Sequence, residues 1–98
     1  MRTFRFLPEA REELLEEIQY YGSLQEGLGV RCESAVASVV RRASANPEHG
    51  APRSRSTRRM LVKGFPFSVI YRVSATEVLI VAVADSRRRP DYWAGRIR

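Results

Sequence analysis

The sequence predicts an α+β domain, an antiparallel sheet packed against a helical hairpin, in the order β-α-α-β-β-β with a closing helical turn. Three patterns carry that expectation. Apolar residues recur every three to four positions between Pro8 and Ala45, as in two helices with one buried stripe each. From Phe65 to Val83 they alternate and then run unbroken, as in paired strands. Alternation at Thr3 to Leu7 places a short strand ahead of the helices. A chain of 98 residues, 44% hydrophobic and 29% charged, suits a single domain over 1–98.

In the first strand Phe4 and Phe6 share a face, and the strand's place in the sheet is left open. Pro8 fits the first turn of a helix, where its missing N–H costs nothing, and Glu9, Glu12 and Glu13 lie near the positive end of the helix dipole. Ala10, Leu14, Ile18 and Tyr21 form its stripe, and Gly22 with Ser23 is expected to end it. A second helix is expected from Leu24 or Gln25 to Ser44 or Ala45, with Cys32, Val36, Val39, Val40 and Ala43 buried. Gly27 and Gly29 loosen its start by about 1 kcal/mol each. Asn46 to Thr57 reads as a mobile loop carrying Arg53 and Arg55.

Arg58 to Val62 is expected to lead as a strand into a hairpin. Its next strand sets Phe67, Val69, Tyr71 and Val73 on one face, and Ser74 to Thr76 make the turn. Val78 to Val83 carries no polar interruption, which suits a central strand covered on both sides. Pro90 to Arg96 closes the chain as a helical turn, with Trp93 as a lid over the core.

Charge is segregated. Residues 1–30 hold six acids against three arginines, a net of −3, while residues 31–98 hold five acids against fourteen bases, a net of +9. Lys63 is the single lysine, so the positive charge rests on guanidinium groups, whose planar fork suits carboxylate and phosphate. The partners implied are nucleic acid or an acidic protein segment; a non-toxic basic interaction module, or a basic surface that only maintains solubility, is the plainer alternative. No apolar run approaches the ~20 residues that span a bilayer, no export signal is read, and the lone Cys32 fits a reducing cytoplasm.

Catalytic patterns are sparse. His49 and Cys32 are the only residues of their kinds and do not stand at ligand spacing, so neither metal nor cofactor is expected. Cys32 falls on an apolar helical stripe without a base at a recognisable offset. The acidic run of the first helix reads as a solvated face. What remains is arginine and aromatics. Arg87, Arg88, Arg89 and Arg96, with Arg58, Arg59 and Lys63, could converge at one end of the sheet, where acid-base work would fall to Tyr92, Tyr71 or Lys63.

The segments RRMLVKGFPFSVIYRV and VLIVAVADSRRRPDYWAGR, in this order of elements, resemble the RelE/ParE superfamily of toxins from bacterial type II toxin-antitoxin systems. The likeness is most specific at Arg59, Phe65, Pro66, Phe67 and Tyr71, and at Arg88, Pro90, Trp93 and Arg96. Asp85 stands where that ending often carries His. The resemblance implies one of two activities. RelE-like toxins cut messenger RNA in the ribosomal A site; ParE-like toxins inhibit DNA gyrase. Phe67 and Ser68 occupy the place of a catalytic arginine of RelE-like members, so the ParE-like branch is favoured, as the toxin of a plasmid-stabilisation-like module.

On that branch Arg58, Arg59, Arg87, Arg88, Arg89 and Arg96 are the implied target-binding set. For the ribonuclease alternative the set would be Lys63, Arg87, Arg88 and Tyr92. Either branch implies a hetero-oligomer with a cognate antitoxin from an adjacent gene. A helix of that partner would lie on Leu14, Ile18, Tyr21, Val36 and Val40, and an extended segment would pair with an exposed sheet edge.

Overall fold

The computed structural model describes residues 2–97. The chain runs β1 (Thr3–Phe6), α1 (Pro8–Leu24), α2 (Leu28–Ala45), β2 (Ala51–Arg53), β3 (Thr57–Leu61), β4 (Phe67–Val73) and β5 (Glu77–Asp85), with 3₁₀ turns at Pro47–His49 and Ala94–Arg96. The strands form one sheet in the order β1-β5-β4-β3-β2. The α+β architecture and the order of elements are those expected, with one added strand and a different sheet type. β2 to β5 pair antiparallel, but β1 lies parallel to β5, from Thr3 opposite Glu77 to Phe6 opposite Ile80. The sheet is therefore mixed. β2 supplies the reason: four strands reversing in succession after the helices leave β5 pointing along β1, whereas three would have left it antiparallel.

β2 lies inside the segment expected to be a mobile loop. Tyr71, fully buried, organises it from beneath: its hydroxyl donates to the Pro47 carbonyl at 2.6 Å and accepts from the Gly50 N–H at 3.0 Å. Arg58 adds hydrogen bonds to the carbonyls of Gly50 at 2.8 Å and Glu48 at 3.3 Å. Gly50 is required here, since a Cβ would overlap the Tyr71 hydroxyl. A tyrosine distant in sequence thus turns a Pro- and Gly-rich stretch into an edge strand.

The helices also meet differently from the expectation. Gly22 does not end α1, and α2 begins at Leu28 rather than at Leu24 or Gln25, because Gly27 takes a left-handed φ of 83° and forms the turn. Gly29 is buried where the helices touch: a Cβ there would lie 2.8 Å from the Ile18 carbonyl oxygen and 3.2 Å from the Gly22 Cα. Gly29 thus permits the close approach, while a Cβ on Gly22 would meet only ordinary contact, 3.9 Å from the Gly29 Cα.

Both sides of the sheet are covered, unequally. The hairpin side carries the larger core, in which Ala10, Cys32, Val36, Val39, Val40 and Ala43 pack on Phe67, Val69, Tyr71, Val78, Ile80 and Val83. On the other side Ile70, Val81 and Ala82 lie under Trp93 and Ile97. A bulge serves both. Ile70 faces Ala82 and Tyr71 faces Ile80, so Val81 is the extra residue. Ile80 and Val83 thereby both reach the hairpin core, which is why the run from Val78 to Val83 needs no polar position. Among the described residues no helix is long and apolar enough to cross a membrane.

Candidate functional site

β1 ends at Phe6, so beyond Ile80 one edge of β5 has no neighbouring strand among the described residues. Unpaired backbone groups there would carry a desolvation cost or invite another chain. Side chains take the strand's place. Glu13 of α1 accepts from the Val83 N–H at 3.0 Å, and Arg96 donates to the Val81 carbonyl at 3.0 Å. The two close on each other through paired 2.9 Å hydrogen bonds, and the Tyr92 hydroxyl donates to the same carboxylate at 2.5 Å. Burial opposes ionisation of Glu13, but the hydrogen bonds from Arg96, Tyr92 and Val83 outweigh it and hold its carboxyl below the usual range. Burial and then the bond to Glu13 push the Tyr92 hydroxyl upward.

This clamp corrects the solvated-face reading for Glu13. The signal was its offset, three residues from Ala10 and beside Leu14, which sets it on the flank of the apolar stripe. Glu17, one turn later, shares that flank without such partners. Its Oε2 is enclosed and unbonded, and burial with repulsion from Asp85 raises its pKa.

Beyond β5 the chain turns on Asp85. Its carboxylate accepts from the Arg87 backbone N–H at 2.8 Å and from the Arg87 guanidinium twice at 3.0 Å, and these bonds hold its pKa down against burial. Arg88 then stacks on Tyr92, 3.9 Å from the ring centroid. Asp91 adopts a left-handed φ of 58° and its carboxylate lies 3.8 Å from Arg53. The outcome is a cleft of about 260 Å³ on the sheet face away from the helices. Leu61, Phe65, Ile70 and Trp93 line its apolar part; Arg53, Arg59, Arg88 and Arg89 line its basic part.

The expected target-binding arginines thus divide. Arg59, Arg88 and Arg89 face this cleft, and Arg87 stands exposed beside it, paired with Asp85. Arg58 is bonded to the 3₁₀ turn and Arg96 to Glu13, so both position other groups. Of the ribonuclease set, Arg88 and Tyr92 meet at the cleft, whereas Lys63 lines a separate depression with Arg31 and Arg42 of α2. Arg53 and Leu61 were not singled out as site residues. Leu61 alternates with buried Met60 and Val62, a period that assigns it to the open face.

A second surface lies between β1 and the helices. Phe4, Phe6, Leu14, Val36 and Val40 line an apolar groove flanked by Glu33 and Arg41. Val36 and Val40 are its buried floor, while Phe4 is 53% exposed. Ile18 and Tyr21, the other residues expected on the antitoxin surface, do not line it; both pack against the hairpin core, and Tyr21 meets Phe65 edge-to-face at 5.0 Å. Cys32 is buried there too, its thiol pushed up to about 11 by burial. Among the described residues no three His, Cys, Asp or Glu side chains group to hold a metal.

A helical hairpin on a mixed sheet, with an apolar groove on one side and an arginine cleft on the other, defines the class to which this small basic domain belongs. The model of the ParE toxins of type II toxin-antitoxin systems, parDE, matches residues 4–90, and the chain belongs to that family. Its fold is similar to that of a chain from a chromosomal ParDE toxin-antitoxin system of P. aeruginosa, with a TM-score of 0.71 and 19% identity over 87% of this chain and 96% of that one. A search of curated protein sequences gives no match.

Proposed function

We propose that this ParE-family toxin arrests growth by binding DNA gyrase in the cytoplasm, within a plasmid-stabilisation-like module, and is neutralised by an antitoxin from an adjacent gene. The family match over residues 4–90 carries the reading. Gyrase is met by the arginine cleft, through Arg59, Arg88 and Arg89 with Arg87 beside them, while Arg58 and Arg96 hold the cleft's surroundings in place. The antitoxin lays an amphipathic helix in the groove at Leu14, Val36 and Val40, flanked by Glu33 and Arg41, and pairs an extended segment with the open edge of β1. The exposed Phe4 supports this, since apolar surface of that kind marks a partner site. Toxin and antitoxin then form a hetero-oligomer.

Ribosome-dependent mRNA cleavage is the second reading, favoured by the Arg88–Tyr92 pair. It has less support, because Tyr92 is committed to Glu13 and Lys63 belongs to another surface. Induction of the chain alone, and with the neighbouring open reading frame, tests both readings. Growth arrest with a DNA-damage response, relief by the neighbour, and inhibited supercoiling with accumulated cleaved DNA are expected. Arrest accompanied instead by codon-edge cuts in a translation extract would transfer the assignment to the ribosome.

A further inference from the structure

We infer that the cleft on the open sheet face takes an acidic polypeptide segment carrying an aliphatic side chain, and not a polynucleotide. The inference rests on the reading of this cleft as the target-facing surface and names the chemistry of what fills it. Four arginines line the cleft against two carboxylates, Asp85 and Asp91. Those carboxylates are already engaged, one bonded to Arg87 and the other 3.8 Å from Arg53. Arg59 and Arg89 are left to meet an anion brought from outside.

The apolar part decides between two anionic polymers. A single strand of nucleic acid gains much of its affinity by stacking bases on open aromatic faces. The cleft offers few. Trp93 is 2% exposed, and one face of the Tyr92 ring is covered by Arg88 at 3.9 Å. Phe65 is engaged by Tyr21, T-shaped with centroids 5.0 Å apart, and by Phe67 at 5.8 Å. What the cleft does present is Leu61, 65% exposed and flanked by the arginine rim. A leucine open to water among guanidinium groups complements an aliphatic side chain with carboxylates on either side of it. Guanidinium forks also bind carboxylates bidentately, which fixes the strand of a peptide in one register.

Fluorescence anisotropy on the full chain tests this with three labelled probes. They are an acidic peptide of glutamates and serines with a central leucine pair, the same peptide with both leucines replaced by serine, and a single-stranded oligoribonucleotide. The leucine-bearing peptide is expected to bind about ten-fold tighter than its serine counterpart. Leu61→Ser should abolish that preference while leaving thermal stability unchanged, because the side chain is exposed. Arg59→Ala and Arg89→Ala should each weaken both peptides about five-fold, the more so at low salt. An oligoribonucleotide that binds more tightly than either peptide, or a leucine preference that survives Leu61→Ser, would overturn the assignment. Growth arrest on induction is scored separately. Arrest without peptide binding sinks the cleft assignment and spares the toxin reading; peptide binding without arrest does the reverse.

Discussion

The two sides of the sheet are built to different specifications. On the hairpin side both helices lay continuous apolar stripes across β3, β4 and β5, and the core there is broad. On the open side the apolar cover is narrow, a few residues under Trp93 and Ile97, and polar groups complete it: Glu13, Tyr92 and Arg96 close the edge of β5. Of the two faces of the sheet, only the thinly covered one can hold contact chemistry. Arginines cannot be spared from water in a broad core, but a thin cover anchored at one edge leaves the rest of the face free to present them. The clamp keeps Tyr92 and Arg96 in place, while Arg59, Arg88 and Arg89 reach outward.

Removing the apolar cover is the most severe perturbation of the open side. Trp93→Ala should cost about 3–5 kcal/mol, read as a lower urea midpoint, because Trp93 is the largest fully buried side chain. A loss under about 1 kcal/mol would mean that the terminal segment is a detachable lid and the open side has no core of its own. Opening the clamp comes next. Glu13→Gln leaves Arg96 half-served on an enclosed edge and should cost about 2–4 kcal/mol at neutral pH. Its folded pKa is lowered, so its stabilisation is fully present above the unfolded value and is lost as pH falls through the folded one. The variant should therefore show a flatter loss of stability in acid.

On the hairpin side, Tyr71→Phe strands the Gly50 N–H and the Pro47 carbonyl and should cost about 1–3 kcal/mol. Hydrogen exchange should locate the damage at β2 and the preceding 3₁₀ turn and leave Val81 to Val83 protected. The smallest change should have the opposite sign. Glu17 has a raised pKa, so its ionised form costs stability that is relieved as pH falls. Glu17→Gln should stabilise by about 0.5 kcal/mol at neutral pH after solvent screening, and the gain should vanish in acid. If Glu13→Gln and Glu17→Gln move stability in the same direction, the two positions are equivalent and the clamp is only a surface pair.

Much of this arrangement was legible in the chain, and the failures share a cause. The helical stripes, the β4–β5 hairpin and the central position of β5 follow from periods of 3.6 and 2, which depend on near neighbours. The arginine run and the lid at Trp93 are local too, read from composition and from the aromatic at the chain's close. β2 was missed because its order comes from Tyr71, far along the sequence. Gly22 reads locally as a helix end and Gly29 as a loosened helix start, because a helix-helix contact leaves no local mark. Glu13 passed for a solvated acid because Arg96, 83 positions away, is invisible to any window on the first helix.

The order of residues is enough to say what each segment is: which residues repeat at helical or strand period, where positive charge accumulates, and which family the pattern resembles. What each charge is for depends on the folded chain. A period is a property of consecutive residues, but the work of a guanidinium depends on whether a carboxylate from another element comes within hydrogen-bond distance. For Arg96 one does, and it becomes part of the frame. Arg59 and Arg89, the same residue type, line an open cleft and are left for a partner.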